Sequence, residues 1–251
     1  MSRSKPQEES SPNPSKRWFE WNGETGAVRY YDKAKKENIE VKLPFRFLML
    51  DQLARISGWS DSRNCGITSN EVRDSMKDML HVRAYKGGAI ATGTWDKIKA
   101  VVHEAGGHFE ANVYIAFKDE QGALQIGAIG FKGAALNSWI NFRNANRAAL
   151  YEKAVSISGS VQGKKGKIVF HTPVFGLSET NAATNELATK LDVELQAYLS
   201  GYLTRTTKDQ TETTASATNR AATHTEPEAP EGVQADADHE AAQPDGDDVP
   251  F

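Results

Sequence analysis

Aromatic and basic side chains are interleaved at several places in this chain, and this combination can bind an unpaired polynucleotide. Trp18, Trp21, Tyr30 and Tyr31 occur in two short runs that are followed by a basic turn. An exposed ring stacks on a base of any sequence and contributes about 1–3 kcal/mol per base. Lys and Arg side chains near phosphates release counterions from the backbone. Neither interaction requires base-reading geometry, so residues scattered over a concave sheet are sufficient.

Two individual residues are the strongest candidates for base stacking. Tyr85 is flanked by basic residues, and Tyr114 falls on the polar face of its strand. Alternation places Trp18 on one face of its strand and Trp21 on the other, but it does not indicate which face is exposed. The candidate DNA-binding residues are Trp18, Trp21, Tyr30, Tyr31, Lys35, Lys36, Arg83, Tyr85, Lys86, Tyr114, Lys132, Lys164 and Lys165.

Residue patterns that would indicate an enzyme or a metal site are incomplete. His103 and His108 are five apart with Gly106 and Gly107 between them, so we expect their imidazoles to point apart rather than share a metal. Cys65 is the only cysteine, which excludes an intrachain disulfide and a thiolate cluster. Lys164 and Lys165 belong to a basic hairpin tip that is too short for a phosphate-binding loop. The sequence therefore predicts a non-catalytic protein with no cofactor and no metal.

The C-terminal segment differs from the rest of the chain in composition. Residues 221–251 contain nine acidic residues and no Lys or Arg, and they end in Asp247, Asp248, Val249, Pro250 and Phe251. Such a segment buries too little apolar surface to offset the entropy of ordering, so we expect disorder. An aromatic ring beside a carboxylate suits an apolar pocket rimmed by Arg or Lys on another protein. The alternative is a solubilising acidic tail.

This ending resembles the C-terminal tip of bacterial-type single-stranded DNA-binding proteins, in which Asp residues precede an aliphatic residue, Pro and a final Phe. The resemblance covers residues 243–251. It implies that Asp247, Asp248, Val249, Pro250 and Phe251 recruit replication and repair proteins, and that the tail competes with DNA for a basic groove. The body is more similar to phage-encoded members of this class, because it is longer and lacks a Gln-rich linker. No binding residue of the body can be carried over by position.

Charge and hydropathy are consistent with this resemblance. Residues 1–204 contain 27 Lys and Arg against 22 Asp and Glu, whereas residues 205–251 contain 3 against 11. A basic body and an acidic tail attract each other, and the tail imitates a polyanionic ligand. The N-terminus has no apolar core typical of a signal peptide, and no run approaches the ~20 apolar residues of a membrane span. We expect a cytoplasmic protein, in the host cytoplasm if it is phage-encoded, with no membrane partner.

The elements that would position these residues are mostly strands. Alternation predicts a hairpin over residues 17–31 and strands over 39–43, 80–85, 89–94, 108–119, 124–132, 154–161 and 167–174. Residues 45–59 fit a helix or a strand, and residues 60–70 suggest an exposed loop. Helices are predicted over 95–105, 134–147 and 181–203, the last with a stripe formed by Leu187, Leu191, Leu195, Tyr198 and Leu199.

Roughly seven or eight strands with inserted helices indicate a mainly β (α+β) fold, and we expect an OB-like antiparallel barrel with helical insertions, partly because of the resemblance. The predicted organisation is a disordered leader (1–16), a DNA-binding domain (17–204) and a disordered acidic tail (205–251).

The predicted function is sequence-independent binding of single-stranded DNA that protects it during replication, recombination or repair, with partners recruited through the tip. Alternatives are a strand-annealing recombination protein and an adaptor that uses only the tip. A homo-oligomer is compatible with each.

Overall fold

Eleven strands form one mixed sheet with three α-helices packed on it in the computed structural model, which describes residues 12–220. The strands are β1 (Arg17–Asn22), β2 (Ala27–Asp32), β3 (Glu37–Val41), β4 (Phe45–Ser60), β5 (Cys65–Thr68), β6 (Leu80–Ala84), β7 (Gly88–Gly93), β8 (Gly107–Lys118), β9 (Leu124–Lys132), β10 (Ala154–Lys165) and β11 (Ile168–Ser178). The helices are α1 (Trp95–Glu104), α2 (Gly133–Ala145) and α3 (Ala182–Arg220), and a short 3₁₀ turn spans Ala149–Tyr151. The mainly β, α+β class predicted from the sequence is confirmed.

The predicted closed barrel is not seen. The strand order is β3-β2-β1-β9-β8-β4-β5-β6-β7, with β10 and β11 attached to β4, so among the described residues the path has two free ends, at β3 and β7. The sheet is also not purely antiparallel, because β1 runs parallel to β9. A hairpin pattern in a sequence predicts pairing only between strands that follow each other in the chain. The parallel pairing joins strands far apart in the chain, so the local pattern did not reveal it.

The two longest interacting strands, β4 and β8, are buried on both faces along part of their length. On one face of β8, Phe109, Val113 and Ile115 lie in the main hydrophobic core with α1 and α2. On the other, Tyr114 and Ala116 lie in a second core against α3. A strand covered on both sides shows a continuous apolar run instead of alternation. This explains why residues 45–59 were ambiguous in the sequence, since they form one 16-residue strand.

Helix α3 creates the second core. Leu195 and Leu199 are fully buried, and Leu191 and Tyr198 pack against them from the same side. Leu187, which belongs to the predicted stripe, is 51% exposed. Helix α3 packs against β4 and β9, whereas Trp59, on the same side of β4, is 54% exposed. The helix therefore covers only part of this face of the sheet.

Several local predictions are confirmed, and one is wrong. The hairpin over 17–31, the strands near 80, 89, 108, 124, 154 and 167 and the first two helices are present within a few residues of the predicted bounds, and the third helix begins where it was predicted. Residues 60–70 are not simply a loop, because β5 occupies Cys65–Thr68. Cys65 and Ile67 are buried there, and the intervening Gly66 contributes no side chain to the alternation.

Ordered elements extend beyond both ends of the range 17–204 that was predicted for the DNA-binding domain. Within the supposed leader, Pro14 is buried and the backbone N–H of Lys16 donates to the carbonyl of Ile126, which extends the β1–β9 ladder by one residue. At the other end, α3 continues past residue 205 to Arg220. A helix that is already nucleated adds further residues at small cost. Within residues 12–220, no helix combines the length and the apolar character needed to cross a membrane.

Candidate nucleic-acid interface

The part of the sheet that α3 leaves uncovered is called here the open face, and it is defined by Trp18, Lys132, Arg55 and Trp59. Strand register places these residues on one side of the sheet. Trp18 pairs with Ala128, and Lys132 pairs with Glu110. Glu110 in turn pairs with Arg55 on β4, which carries Trp59 four residues later. Directly paired residues, and residues two apart on one strand, project to the same face.

Four aromatic rings are exposed on the open face or at its margin. Trp18 is 40% exposed, Tyr31 56%, Trp59 54% and Tyr85 72%. Tyr85 follows the end of β6, and its ring covers Gly66, where a Cβ would lie 3.0 Å from a ring carbon. From β2 to β6 there are six inter-strand steps, which at ~4.8 Å each span roughly 29 Å. The rings are therefore distributed across the sheet and not gathered in one hydrophobic patch.

Arg55 is the central cation of this face. Its guanidinium carbon lies 5.5 Å from the centre of the Trp18 ring, and its Nε and Nη2 donate to Glu110 Oε1 over 3.1 and 2.6 Å. Ser57 Oγ also donates to Glu110, at the other carboxylate oxygen. Burial opposes the charge on Arg55, but Glu110 and Glu71 outweigh it and raise the pKa of the guanidinium. Arg55 is therefore a permanent cation held in one orientation.

A buried polar cluster connects this cation to α3. Glu71 accepts from Tyr114 Oη over 2.6 Å and from Asn112 Nδ2 over 2.8 Å, and Arg55 Nη1 lies 4.0 Å from its Oε1. The backbone N–H of Glu71 donates to the hydroxyl of Tyr202 on α3. Burial raises the pKa of Glu71. Burial and the neighbouring carboxylate also raise the pKa of the Tyr114 hydroxyl. The cluster therefore lies between Arg55 on the open face and helix α3.

The structure places six of the predicted DNA-binding residues on or beside the open face. Trp18 and Lys132 lie on it, and Tyr31 and Arg83 share its side of the sheet by register. Tyr85 lies over Gly66, as described above. Lys86 follows Tyr85 in an exposed turn, where its backbone N–H donates to Cys65 Sγ.

Three predicted stacking residues do not face solvent in the way the sequence suggested. Trp21 is 5% exposed, and its Nε1 donates to the carbonyl of His171 over 2.9 Å. Tyr114, a leading candidate, is fully buried because α3 covers the polar face of β8. Tyr30 is half-buried on the core side, edge-on to Phe19 at 5.8 Å. These rings stabilise the fold, and none is presented for base stacking here.

The remaining predicted lysines lie away from the open face. Lys35 and Lys36 are exposed in the turn between β2 and β3, and Lys35 lines a separate cleft of about 810 Å³ beside Phe45. Lys164 and Lys165 are exposed at the tip of the β10–β11 hairpin. The sequence could not show this separation, because it depends on which strands pair.

The expected geometry of the two histidines was wrong. The ring centres of His103 and His108 lie 5.8 Å apart, because the turn at Ala105 and Gly106 brings β8 back alongside α1. Within residues 12–220, however, no group of three or more His, Cys, Asp or Glu side chains is placed to hold a metal ion.

The predicted partner-binding residues Asp247, Asp248, Val249, Pro250 and Phe251 lie outside the described residues.

Two residues of the candidate interface, Arg55 and Trp59, were not predicted from the sequence. The signal was present, since Arg55, Ser57 and Trp59 alternate with Ile56 and Gly58. It would have been recognised if residues 45–59 had been taken as one strand.

The chain matches no protein-family model, no curated protein and no solved structure.

Proposed function

We propose that this chain binds single-stranded DNA across the open face of its sheet, without requiring a particular sequence. The observation that carries the proposal is the set of four exposed rings, Trp18, Tyr31, Trp59 and Tyr85, which lie among basic side chains on one uncovered side of the sheet. Exposed rings distributed along a surface favour successive unstacked bases over a folded protein partner, which would need a contiguous apolar patch.

Basic residues supply the second requirement, which is neutralisation of the phosphates. Arg55, Arg83, Lys86 and Lys132 lie on or next to the open face. Glu110 compensates Arg55, but the cations named here outnumber the carboxylates. Each phosphate contact in a single strand contributes a slope of about −0.7 to the dependence of log K on log salt concentration. We therefore expect binding that weakens steeply as salt is added.

In this proposal the protein is a non-catalytic coat that protects single strands during replication, recombination or repair. The acidic C-terminus, with Phe251 and Pro250 at its end, recruits partner enzymes in the way that the resemblance implies. An open sheet can perform the same task as a closed barrel, because stacking and phosphate neutralisation require only a face lined by exposed rings and cations. The proposal thus does not depend on the barrel that was expected from the sequence.

A titration of the full chain with labelled oligo-dT, followed by fluorescence anisotropy at low and high salt, tests the proposal. We expect tight binding in dilute buffer and a loss of affinity with salt. An absence of binding in dilute buffer would refute it. Equal affinity for a double-stranded oligonucleotide would show that exposed bases are not what the protein recognises.

A further inference from the structure

A small cleft of about 190 Å³ opens on the open face between Tyr85 and Lys132. Two of its lining residues are glycines, Gly66 and Gly130, and their lack of a side chain lets the Tyr85 ring and the Glu110 carboxylate lie directly against the sheet. A Cβ at Gly66 would crowd the Tyr85 ring, and a Cβ at Gly130 would overlap the carboxylate of Glu110. Pockets that hold whole drug-sized ligands have roughly 300–1,000 Å³. This cleft is smaller, and it suits one planar ring system instead of a complete nucleotide.

Two polar side chains of the cleft, a carboxylate and an ammonium, could distinguish one base from another, which a surface that binds every base equally does not need. Glu20 lies on β1 opposite Gly130, and Lys132 is the next residue on the same side of β9, so a carboxylate and an ammonium are diagonal neighbours. Arg29 Nε donates to Glu20 Oε1 over 2.6 Å and fixes the orientation of that carboxylate. A carboxylate has about four acceptor positions, so this bond leaves capacity for a ligand.

The four DNA bases differ in the edge that they would present to this pair. Guanine has two adjacent N–H donors, at N1 and N2, beside the carbonyl acceptor O6. Thymine has one N–H between two carbonyls, and adenine and cytosine have no ring N–H next to their amino group. A carboxylate that accepts from two adjacent donors, with a cation at the neighbouring oxygen, therefore matches the guanine edge best.

We infer that the cleft binds one guanine of a bound single strand. Glu20 accepts hydrogen bonds from N1 and N2, and Lys132 donates to O6. The Tyr85 ring lies over β5, four inter-strand steps or roughly 19 Å from β1, and stacks on another base of the same strand. The inference rests on the proposed function, since the strand must first lie on the open face. The other rings bind bases without discrimination, so the protein coats any sequence and prefers guanine at one position of its footprint.

The test uses the full chain and oligo-dT of about twelve nucleotides, a length within the range covered by known single-strand sites. Labelled versions carry one central guanosine, inosine or adenosine, and affinity is read from fluorescence anisotropy. We expect the guanosine oligonucleotide to bind roughly fivefold or more tightly than oligo-dT, as a good bidentate contact provides. Inosine, which lacks the N2 amino group, should lose much of this gain, and adenosine should show none.

Glu20→Gln should reduce the ratio of the guanosine and oligo-dT affinities to about one. The matched control, Glu24→Gln in the exposed turn after β1, removes the same charge and should leave the ratio unchanged. Equal affinity for guanosine and oligo-dT, equal affinity for inosine and guanosine, or a preference that survives in Glu20→Gln would overturn the inference. Tight binding of oligo-dT with no base preference would refute this inference alone. Failure to bind any oligonucleotide would refute the proposed function.

Discussion

The guanidinium carbon of Arg55 lies 5.5 Å from the centre of the Trp18 ring, while the same guanidinium donates two hydrogen bonds to the carboxylate of Glu110. Glu110 is only 3% exposed, so the cation above it is fixed by a partner within the sheet. The ring and the cation therefore hold each other in place before any ligand arrives. Binding to such a preorganised surface costs less conformational entropy.

Replacing Arg55 with alanine should lower the free energy of unfolding by about 3–5 kcal/mol, because the buried Glu110 carboxylate would lose its cation. Urea denaturation followed by circular dichroism measures this change. The double variant Arg55→Ala/Glu110→Gln should recover part of the loss, since the uncompensated charge is removed. If Arg55→Ala unfolds at the same urea concentration as the wild type, the ion pair does not stabilise the fold.

Replacing Glu71 with glutamine should change how stability depends on pH. Burial raises the pKa of Glu71 above its usual value of 4.5, so the folded state holds this proton more tightly than the unfolded state. The stabilising contribution of Glu71 is complete below about pH 4.5 and is lost as pH rises through the folded pKa. The stability of Glu71→Gln relative to wild type should therefore increase between pH 4.5 and 7. Denaturation curves recorded at several pH values measure it, and a pH-independent difference would contradict the assignment.

Removing residues 221–251 should tighten binding of single-stranded DNA at low salt, because the acidic tail competes for the same cations. The advantage should shrink at high salt, where charge interactions are screened. Anisotropy titrations of the truncated and full chains at two salt concentrations make the comparison. Weaker DNA binding by the truncated protein at low salt would show that the tail does not compete.

Deleting Phe251 alone should separate recruitment from DNA binding. The deletion removes the aromatic ring at the tip but none of the nine acidic side chains, so DNA affinity should stay nearly unchanged. Pull-down of replication and repair proteins should be lost, since the ring would no longer fill their apolar pocket. Substituting Thr225 in the same tail with alanine provides a control. Partner capture that persists without Phe251 argues against the recruiting role.

Local patterns predicted most of the elements but not the side of the sheet that each residue would face. The alternation in residues 17–31 placed Trp18 and Trp21 on opposite faces of their strand, but only the packing of the sheet decided that Trp18 is the exposed one. Tyr114 was misjudged because α3 covers the polar face of β8. Arg55 and Trp59 lie in the alternating second part of β4, but the continuous apolar run in its first part, which is buried on both faces, left the whole segment ambiguous between helix and strand. The pairing of distant strands and the packing of α3 therefore determine which side chains are exposed on the sheet. Neither can be predicted from a short segment of sequence.

The most direct test of the central claim compares two equally exposed tyrosines. Tyr85 is 72% exposed beside the open face, whereas Tyr151 is 68% exposed in the 3₁₀ turn away from it. Oligo-dT affinity should fall by about 1–3 kcal/mol in Tyr85→Ala, the contribution of one stacked base, and remain at the wild-type level in Tyr151→Ala. If Tyr85→Ala binds as tightly as the wild type, or if both variants lose affinity equally, the open face is not where the single strand binds.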